Sequence, residues 1–527
     1  MLRTVLTSFL SITIFAVAQA SPMSDVALRD ILAATNGKPR GLAAKSVFTR
    51  IHIDSRTVQP GDLFWALRGE RHDGHDFIGD AFARGAIAAV VAGDRRSEVG
   101  DRRSERLPNS SDLRPPTSDI GVELPGISEN PKELEGWMDG NRPVIAVPDT
   151  LRALWDFAAW HRTQRDAAVI GVTGSFGKTT AREMIFAALS AGHCGLRSPR
   201  NYNNHIGVPL TLLELVDRHE FAVLELGASA VGEIRELARL AAPEIGVVTG
   251  IGPAHLDGFR TIEAVIAAKS ELIAALPACG FAVLNGDDPA VRNMATIAAC
   301  PVIFVGERED NDITARGIEI RESGIRFRVA EDDYELPAIG RHHVTAALAA
   351  IAIGREIGLS PATIAEGLRS FQPVDGRCRL HRIGDWHVID DTYNSNPGSL
   401  RAACAALRDW PGAGRRILIT GDMKELGTET IAWHGDAGRR AAEANIDLIV
   451  AHGDFARHVV GAAIEAGMDA SRLADCKTLE AVQTVLDCWL EPGDVVLVKG
   501  SRAMWMERVV EWLRRQAESK PIRRACA

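Results

Sequence analysis

The run Ala167 to Thr180, AAVIGVTGSFGKTT, constrains the fold more than any other stretch, because an apolar strand-like segment breaks into a glycine-rich turn ending in a lysine and two threonines. Gly174 and Gly177 allow the bend that turns successive backbone N–H groups toward an anion. Lys178 has the reach to meet β- and γ-phosphates, and Thr179 can offer a hydroxyl to Mg2+. A helix predicted over Lys178 to Leu189 points its positive end at the same place. Gly174, Ser175, Phe176, Gly177, Lys178, Thr179 and Thr180 therefore read as a phosphate loop of the form G-x-x-G-K-T, shorter than the general pattern. A plain structural turn is the alternative; the strand before it and the helix after it favour phosphate.

A chain of 527 residues, 46% of them hydrophobic, has material for about three domains with full cores. Its net charge of −9 leaves no basic footprint of the kind nucleic-acid binding requires. The eight cysteines show no C-x-x-C spacing and read as reduced thiols, so neither a disulfide framework nor a zinc site is indicated. Residues 1–22 pull the other way: one arginine, an apolar run from Val5 to Val17 and Ala18-Gln19-Ala20 have the shape of a secretory signal. Met23, however, opens a helix-like segment that needs nothing upstream, so residues 1–22 are either signal-like or an over-called start. Dependence on a nucleotide triphosphate makes the cytoplasm the expected location. No other stretch is apolar and long enough to span a bilayer.

Residues 23–150 read as a mixed α/β domain, with a strand over Val47 to Asp54 and a second after Pro60-Gly61. The polar segment GERHDGHDF (Gly69 to Phe77) is open to three readings: a metal site, a loop touching a polar ligand, or a solvated loop. Residues 94–141 are rich in charge, Ser and Pro and carry the tandem DRRSEVG-DRRSE, a composition that predicts a disordered surface insertion. Residues 151–375 alternate strands and helices as a parallel sheet does, placing Glu225, His255 and the loop Asn201 to Gly207 at strand ends, where ligands of such sheets bind. Glu225 ends an apolar strand and needs a charged or metal partner, with Mg2+ beside Thr179 a natural candidate. His255 is either a satisfied loop histidine or a strand-end ligand, and Lys269 reads by default as a surface lysine. Residues 376–527 predict a second, Rossmann-like sheet without a dinucleotide fingerprint, its strand ends carrying DDTYNSNP, GDMKELG and KGSR.

With these motifs in hand the chain resembles the Mur ligases. The carriers are GDLFWALRGERHDGHDF, TGSFGKTT, NYNNHIGVPLTLL, LELGAS, PAHLDGF, AAKSEL, DDTYNSNP, GDMKELG and VKGSR, which span nearly everything from Met23 onward except the insertion. DDTYNSNP together with GDMKELG, and the absence of a D-N-P-R motif, point to the dipeptide-adding branch. The resemblance implies three α/β domains: one for the uridine nucleotide, a central P-loop ATPase domain and a C-terminal Rossmann-like ligase domain. It implies ATP-dependent amide-bond formation, through an acyl phosphate, between UDP-N-acetylmuramoyl-tripeptide and D-alanyl-D-alanine. A monomer bound neither to nucleic acid nor to a membrane is expected.

By the same resemblance Lys178, Glu225, His255 and Lys269 are catalytic; Thr179 and Glu225 hold one Mg2+, and His255 with a carbamylated Lys269 serves a second. Arg377, Asp391 and Asn394 lie by the nucleotide. Asp54, Ser55 and Arg56 lie by the uridine nucleotide, Asn203 and Asn204 by the peptide, and Lys499 and Arg502 by the incoming dipeptide. Three departures stand out: His343 and Ala346 replace a pair of asparagines that contact adenine, Gly250 stands where Asn is usual, and Phe176 replaces a small polar residue. Another Mur-type ligase or a folylpolyglutamate synthase-like amide ligase is the alternative, although the latter lacks the N-terminal domain. A GTPase switch would need an N-K-x-D motif that does not follow the phosphate loop. A catalytically dead scaffold would need a lost ligand among Lys178, Thr179, Glu225 and His255, all of which are present.

Overall fold

The computed structural model describes residues 26–69, 72–93 and 142–519. The signal-like residues 1–22, the insertion 94–141, and Glu70 and Arg71 of the polar loop lie outside the described residues. The chain divides into two compact units, one ending at His161 and one running on from Arg162.

The first unit contains β1 (Val26–Ala27), β2 (Lys38–Arg40), β3 (Val47–Phe48), β4 (Ile51–His52), β5 (Leu63–Trp65), β6 (Ala88–Ala92) and β7 (Val144–Val147). β1 and β3 form a small antiparallel ladder, and the other five make a sheet of order β2-β7-β6-β5-β4 in which only β2 runs antiparallel. The strand expected over Val47 to Asp54 is broken into β3 and β4. It stops because the Asp54 carboxylate accepts the Arg56 N–H at 3.0 Å and starts a 3-10 turn over Ser55–Thr57. Trp65 is fully buried, stacks on Phe157 with centroids 6.2 Å apart and donates its indole N–H to the Thr150 carbonyl at 2.8 Å. In the polar segment His75 is buried between Asp73, 2.6 Å from its Nδ1, and the Ala92 N–H, which it accepts at 2.9 Å. That histidine is a strut between loop and strand.

The second unit opens with seven parallel strands: β8 (Ala168–Thr173), β9 (Gly195–Arg197), β10 (Phe221–Glu225), β11 (Ile245–Val248), β12 (Phe281–Asn285), β13 (Val302–Gly306) and β14 (Ile313–Thr314). Their order is β14-β13-β12-β11-β8-β10-β9, so the chain leaves β8 toward one edge and later returns to fill the other side. That reversal opens a crevice at the carboxyl end of β8, flanked by β10 and β11. The strands are continuous apolar runs because both faces are covered. Helices Lys178–Ser190 and His343–Glu356 pack on one face around Ile170, Val172, Val223 and Val247, and Ile262–Ala274 covers the other with Ile273 against Val248 and Leu284.

The antiparallel sheet β15 (Arg316–Arg321), β16 (Gly324–Val329) and β17 (Asp332–Leu336) has no counterpart in the sequence reading. Its signal is the period-2 alternation of GIRFRV and DYEL, whose Ile325, Phe327, Val329, Tyr334 and Leu336 join the main core. The last sheet comprises β18 (Arg379–Ile383), β19 (Trp386–Asp391), β20 (Arg416–Gly421), β21 (Leu448–His452), β22 (Leu473–Cys476) and β23 (Val495–Lys499), in the order β18-β19-β23-β20-β21-β22. Four of these strands match the sequence expectation; β18, an antiparallel hairpin partner of β19, and β22 were not anticipated. Because β19, β23 and β20 are neighbours, Asp391, Lys499 and Gly421 emerge side by side. All seven cysteines among the described residues are free, and no described helix is long and apolar enough to cross a membrane.

Helices Thr430–Glu443 and Ala456–Glu465 approach closely at Gly438, where a β-carbon would stand 2.0 Å from the Val459 carbonyl oxygen. Backbone cannot yield as a side-chain tip can. Gly438→Ala is expected to lower stability by about 1–3 kcal/mol, read from the urea midpoint of the intact chain. An unchanged midpoint would show that the helices separate freely.

Candidate active site

The phosphate loop is shaped by two glycines in backbone conformations that side chains rarely adopt: Gly174 has φ 146° and Gly177 φ 79°. A β-carbon on Gly174 would lie 2.2 Å from Thr249 Oγ1, and that hydroxyl in turn donates to the Phe176 carbonyl at 2.5 Å. The end of β11 thus braces the loop that leaves β8. Ser175 adds two further ties, donating its N–H to the Gly250 carbonyl at 2.8 Å and accepting the Gly252 N–H on its hydroxyl at 3.1 Å. Lys178 folds back over the loop and donates to the Gly174 carbonyl at 2.7 Å, while its enclosure, and then the Arg377 charge, lower its pKa.

Glu225, at the end of β10, is buried, and its charge is compensated from three directions. Thr179 Oγ1 donates to it at 2.9 Å, the Asn203 amide at 2.8 Å and the Arg182 guanidinium at 3.2 Å. Arg182 is the partner that the sequence reading missed. It follows Thr179 by three residues, so helical spacing puts both side chains on one face. Thr180 lines the cleft in the same first turn. Asn204 is placed differently: its carboxamide oxygen accepts the Ile206 and Gly207 N–H groups at 3.1 and 2.9 Å and starts the helix Gly207–Leu213.

His255 occupies the left-handed region with φ 54°, and its Nδ1 lies 2.5 Å from a carboxylate oxygen of Glu425, itself at φ 64°. Burial and the Lys178 charge lower the His255 pKa, against the pull of Glu425. Two further hydrogen bonds fasten the same loops: Leu256 N–H to the Glu425 carbonyl at 2.8 Å and Gly427 N–H to the Asp257 carboxylate at 3.0 Å. Lys269 is not on the surface, contrary to its default reading; it is 2% exposed on the inner face of its helix and lies over the Phe259 ring. Burial, then the Lys178 charge, lower its pKa to about 7, while Glu233, Glu271 and Glu225 oppose this only through their field.

Lys178, Thr179, Asn203, Asn204, Glu225 and His255 share a cleft of about 1030 Å³ with the strand ends of the last sheet. There the buried Lys499 ammonium is 2.6 Å from Asp391 and donates to the Asn394 carbonyl at 2.9 Å. The Arg377 guanidinium stacks on Tyr393, and Arg502 pairs with Glu507 while lying over the exposed Trp505. Asp54, Ser55 and Arg56 belong to the first unit, where the Arg56 guanidinium hydrogen-bonds Asp54 and holds that carboxyl below its usual range.

Three family models match the chain in succession: Mur ligase family, catalytic domain, over residues 47–158; Mur ligase middle domain over 172–354; and Mur ligase, glutamate ligase domain over 376–502. The UDP-N-acetylmuramoyl-tripeptide--D-alanyl-D-alanine ligase of Escherichia coli K12 is 34% identical, the alignment covering 93% of this chain and 99% of that one. The chain belongs to the Mur ligase family. The enzyme of the same name from Bacillus subtilis 168 is 32% identical over 89% of this chain and 93% of its own. Among solved structures, MurF from Acinetobacter baumannii superposes with a TM-score of 0.78 at 30% identity, covering 94% of this chain and all of that one. MurF from Thermotoga maritima, in complex with ADP, gives 0.71 at 26% identity over 90% and 98%.

Positions 176 and 250 are matched in size. The Phe176 ring fills the space beside residue 250, so that a β-carbon on Gly250 would lie 2.8 Å from it; Gly252 and Gly398 face the same ring at 3.2 and 2.6 Å. A bulky phosphate-loop residue therefore requires small neighbours, including Gly398 at the start of the helix Pro397–Arg408. The Asn396 amide, donating to the Ser175 carbonyl at 3.3 Å, adds a polar tie at that junction. Gly250→Asn alone is expected to cost about 1–3 kcal/mol and to raise KM for ATP. Adding Phe176→Ser should recover at least ~1 kcal/mol in a double-mutant cycle; strictly additive effects would dissociate the two positions. Arg182→Met should cost about 3–5 kcal/mol by leaving Glu225 without its buried cation, and a thermal midpoint equal to that of the parent would show that Thr179 and Asn203 suffice.

Proposed function

We infer that the protein is an ATP-dependent ligase that joins D-alanyl-D-alanine to UDP-N-acetylmuramoyl-tripeptide, giving the pentapeptide precursor of cell-wall peptidoglycan. What carries this reading is a single cleft shared by a phosphate loop and a second sheet's polar strand ends, in a chain that aligns almost end to end with relatives named for that reaction. The terminal carboxylate of the tripeptide attacks the γ-phosphorus of ATP and ADP leaves. The dipeptide amine then attacks the acyl phosphate carbon, phosphate departs and the amine gives up a proton. Lys178 and the N–H groups that begin the helix Lys178–Ser190 offset charge on the phosphates. Ser175, Phe176, Arg377, Asp391 and Asn394 are assigned to the nucleotide, Asn203 and Asn204 to the peptide, and Lys499 and Arg502 to the dipeptide. Asp54, Ser55 and Arg56 are assigned to the uridine nucleotide. The working division is 23–150, 151–375 and 376–527, and the protein is placed in the cytoplasm, where ATP is supplied.

The donor chemistry fits Mg2+. Thr179 and Glu225 offer adjacent buried oxygens to one ion, and such a hard cation would polarise the transferred phosphoryl group. His255 and Lys269 suit a second ion only if Lys269 carries a carbamate, because an ammonium has no lone pair to give. Carbamylation consumes the neutral amine, and the pKa near 7 makes that form abundant at neutral pH.

The decisive assay measures phosphate release and mass-detected pentapeptide with ATP, D-alanyl-D-alanine and the tripeptide bearing either diaminopimelate or lysine. Phosphate released without dipeptide, or no pentapeptide from either substrate, would overturn the reading. Lys269→Arg should lose at least about a hundredfold in turnover while still binding ATP, since guanidinium remains a cation. As pH falls below about 7 Lys269 protonates, so wild-type turnover should decline there, and more steeply in CO2-depleted buffer. Near-parental turnover of Lys269→Arg would refute the carbamate.

A further inference from the structure

We propose that His342, His343 and Cys378 form a binding site for a thiophilic divalent cation, zinc foremost, in the wall of the nucleotide cleft. One ligand atom from each residue lies within 4.8 Å of the others. All three residues line the cavity that also holds the phosphate loop.

Two observations make this a built site. His343 is 3% exposed, yet neither of its ring nitrogens has a hydrogen-bond partner. Buried imidazole nitrogens are normally paired, and a metal bond would relieve one of them. The other two ligands are held by their surroundings. The His342 ring rests on Gly340, at φ 100°, where a β-carbon would stand 2.6 Å from it. Cys378 is 2% exposed at φ 54°, and its backbone N–H donates to Asp391 at 3.2 Å.

Two imidazole nitrogens and one thiolate are the donor set of an open zinc site, with a fourth position left for water or another ligand. Mg2+, which prefers oxygen, is disfavoured. With metal–ligand bonds of about 2.0–2.3 Å, tetrahedral ligand atoms stand roughly 3.3–3.7 Å apart, so the widest pair need close by at most about 1–1.5 Å. Binding releases the Cys378 thiol proton to solvent, and it joins the start of the helix His343–Glu356 to the segment entering β18. Because the site opens into the nucleotide cleft, a bound cation would occupy space there. The proposal does not depend on the ligase reading, and none of the three residues is assigned to Mg2+.

The test titrates chelator-stripped full-length protein with Co2+ alone and records absorbance. The expected result is a tetrahedral d–d band with a thiolate-to-cobalt charge-transfer band, both bleached by Zn2+ and unaffected by Mg2+. Folded Cys378→Ser should lose the charge-transfer band, which excludes the exposed Cys194, Cys279 and Cys488 as its source. His343→Gln should weaken Co2+ binding at least tenfold. Absence of the thiolate band in the parent, its persistence in Cys378→Ser, or unchanged affinity in His343→Gln would each overturn the proposal.

Discussion

The carboxylate of Glu225 is the group on which the rest of the site depends. It stands at the carboxyl end of a strand buried on both faces, where an uncompensated charge costs several kcal/mol. Three side chains from two elements must therefore converge on it: the helix after the phosphate loop sends Thr179 and Arg182, and the loop between β9 and the helix Gly207–Leu213 sends Asn203. The Ser198 hydroxyl accepts the Glu225 N–H at 3.1 Å and completes the arrangement. One buried charge thus sets the relative positions of the phosphate loop, β10 and the loop that follows β9.

The same electrostatic logic extends across the cleft. Burial lowers the pKa of both lysines; the Arg377 charge adds to this at Lys178 and the Lys178 charge at Lys269, against the field of Glu225 at both and of Glu233 and Glu271 at Lys269. Neighbouring cations of this kind favour polyanions. The facing sheet balances its own buried cation by pairing Lys499 with Asp391. The junction between the two sheets is closed by short contacts at a few strand-end loops: Phe176 on Gly398, Asn396 on Ser175 and His255 on Glu425. A change at either of the first two is felt by the phosphate loop, because the loop is itself one side of the contact.

Glycines at 174 and 177, the apolar runs of β8, β10 and β11 and the motif-bearing strand ends made the phosphate loop and both parallel sheets legible from composition and period alone. Local chemistry is sufficient there: buried parallel strands must be apolar, and a phosphate-binding turn must have little side chain. The β15–β17 sheet carried an equally plain alternation, but it lies between two stronger patterns. Lys269 shows the limit of residue-type expectations, since a lysine preceded by alanines has a helical face but no indication of which face is turned inward.

Sequence by itself determined the main parallel strands, the glycine-rich loop and the chemical type of each strand-end group, because these depend on neighbours a few residues away. Only the tertiary structure decided the partners. Arg182 meets Glu225, Glu425 meets His255, Phe176 makes room against Gly250, Gly252 and Gly398, and the two histidines come to face Cys378. The physical reason is common to all: hydrogen bonding, ion pairing and steric exclusion act over a few ångströms. Which residues come that close, when scores of positions separate them in the chain, is set by how the sheets and their covering helices pack.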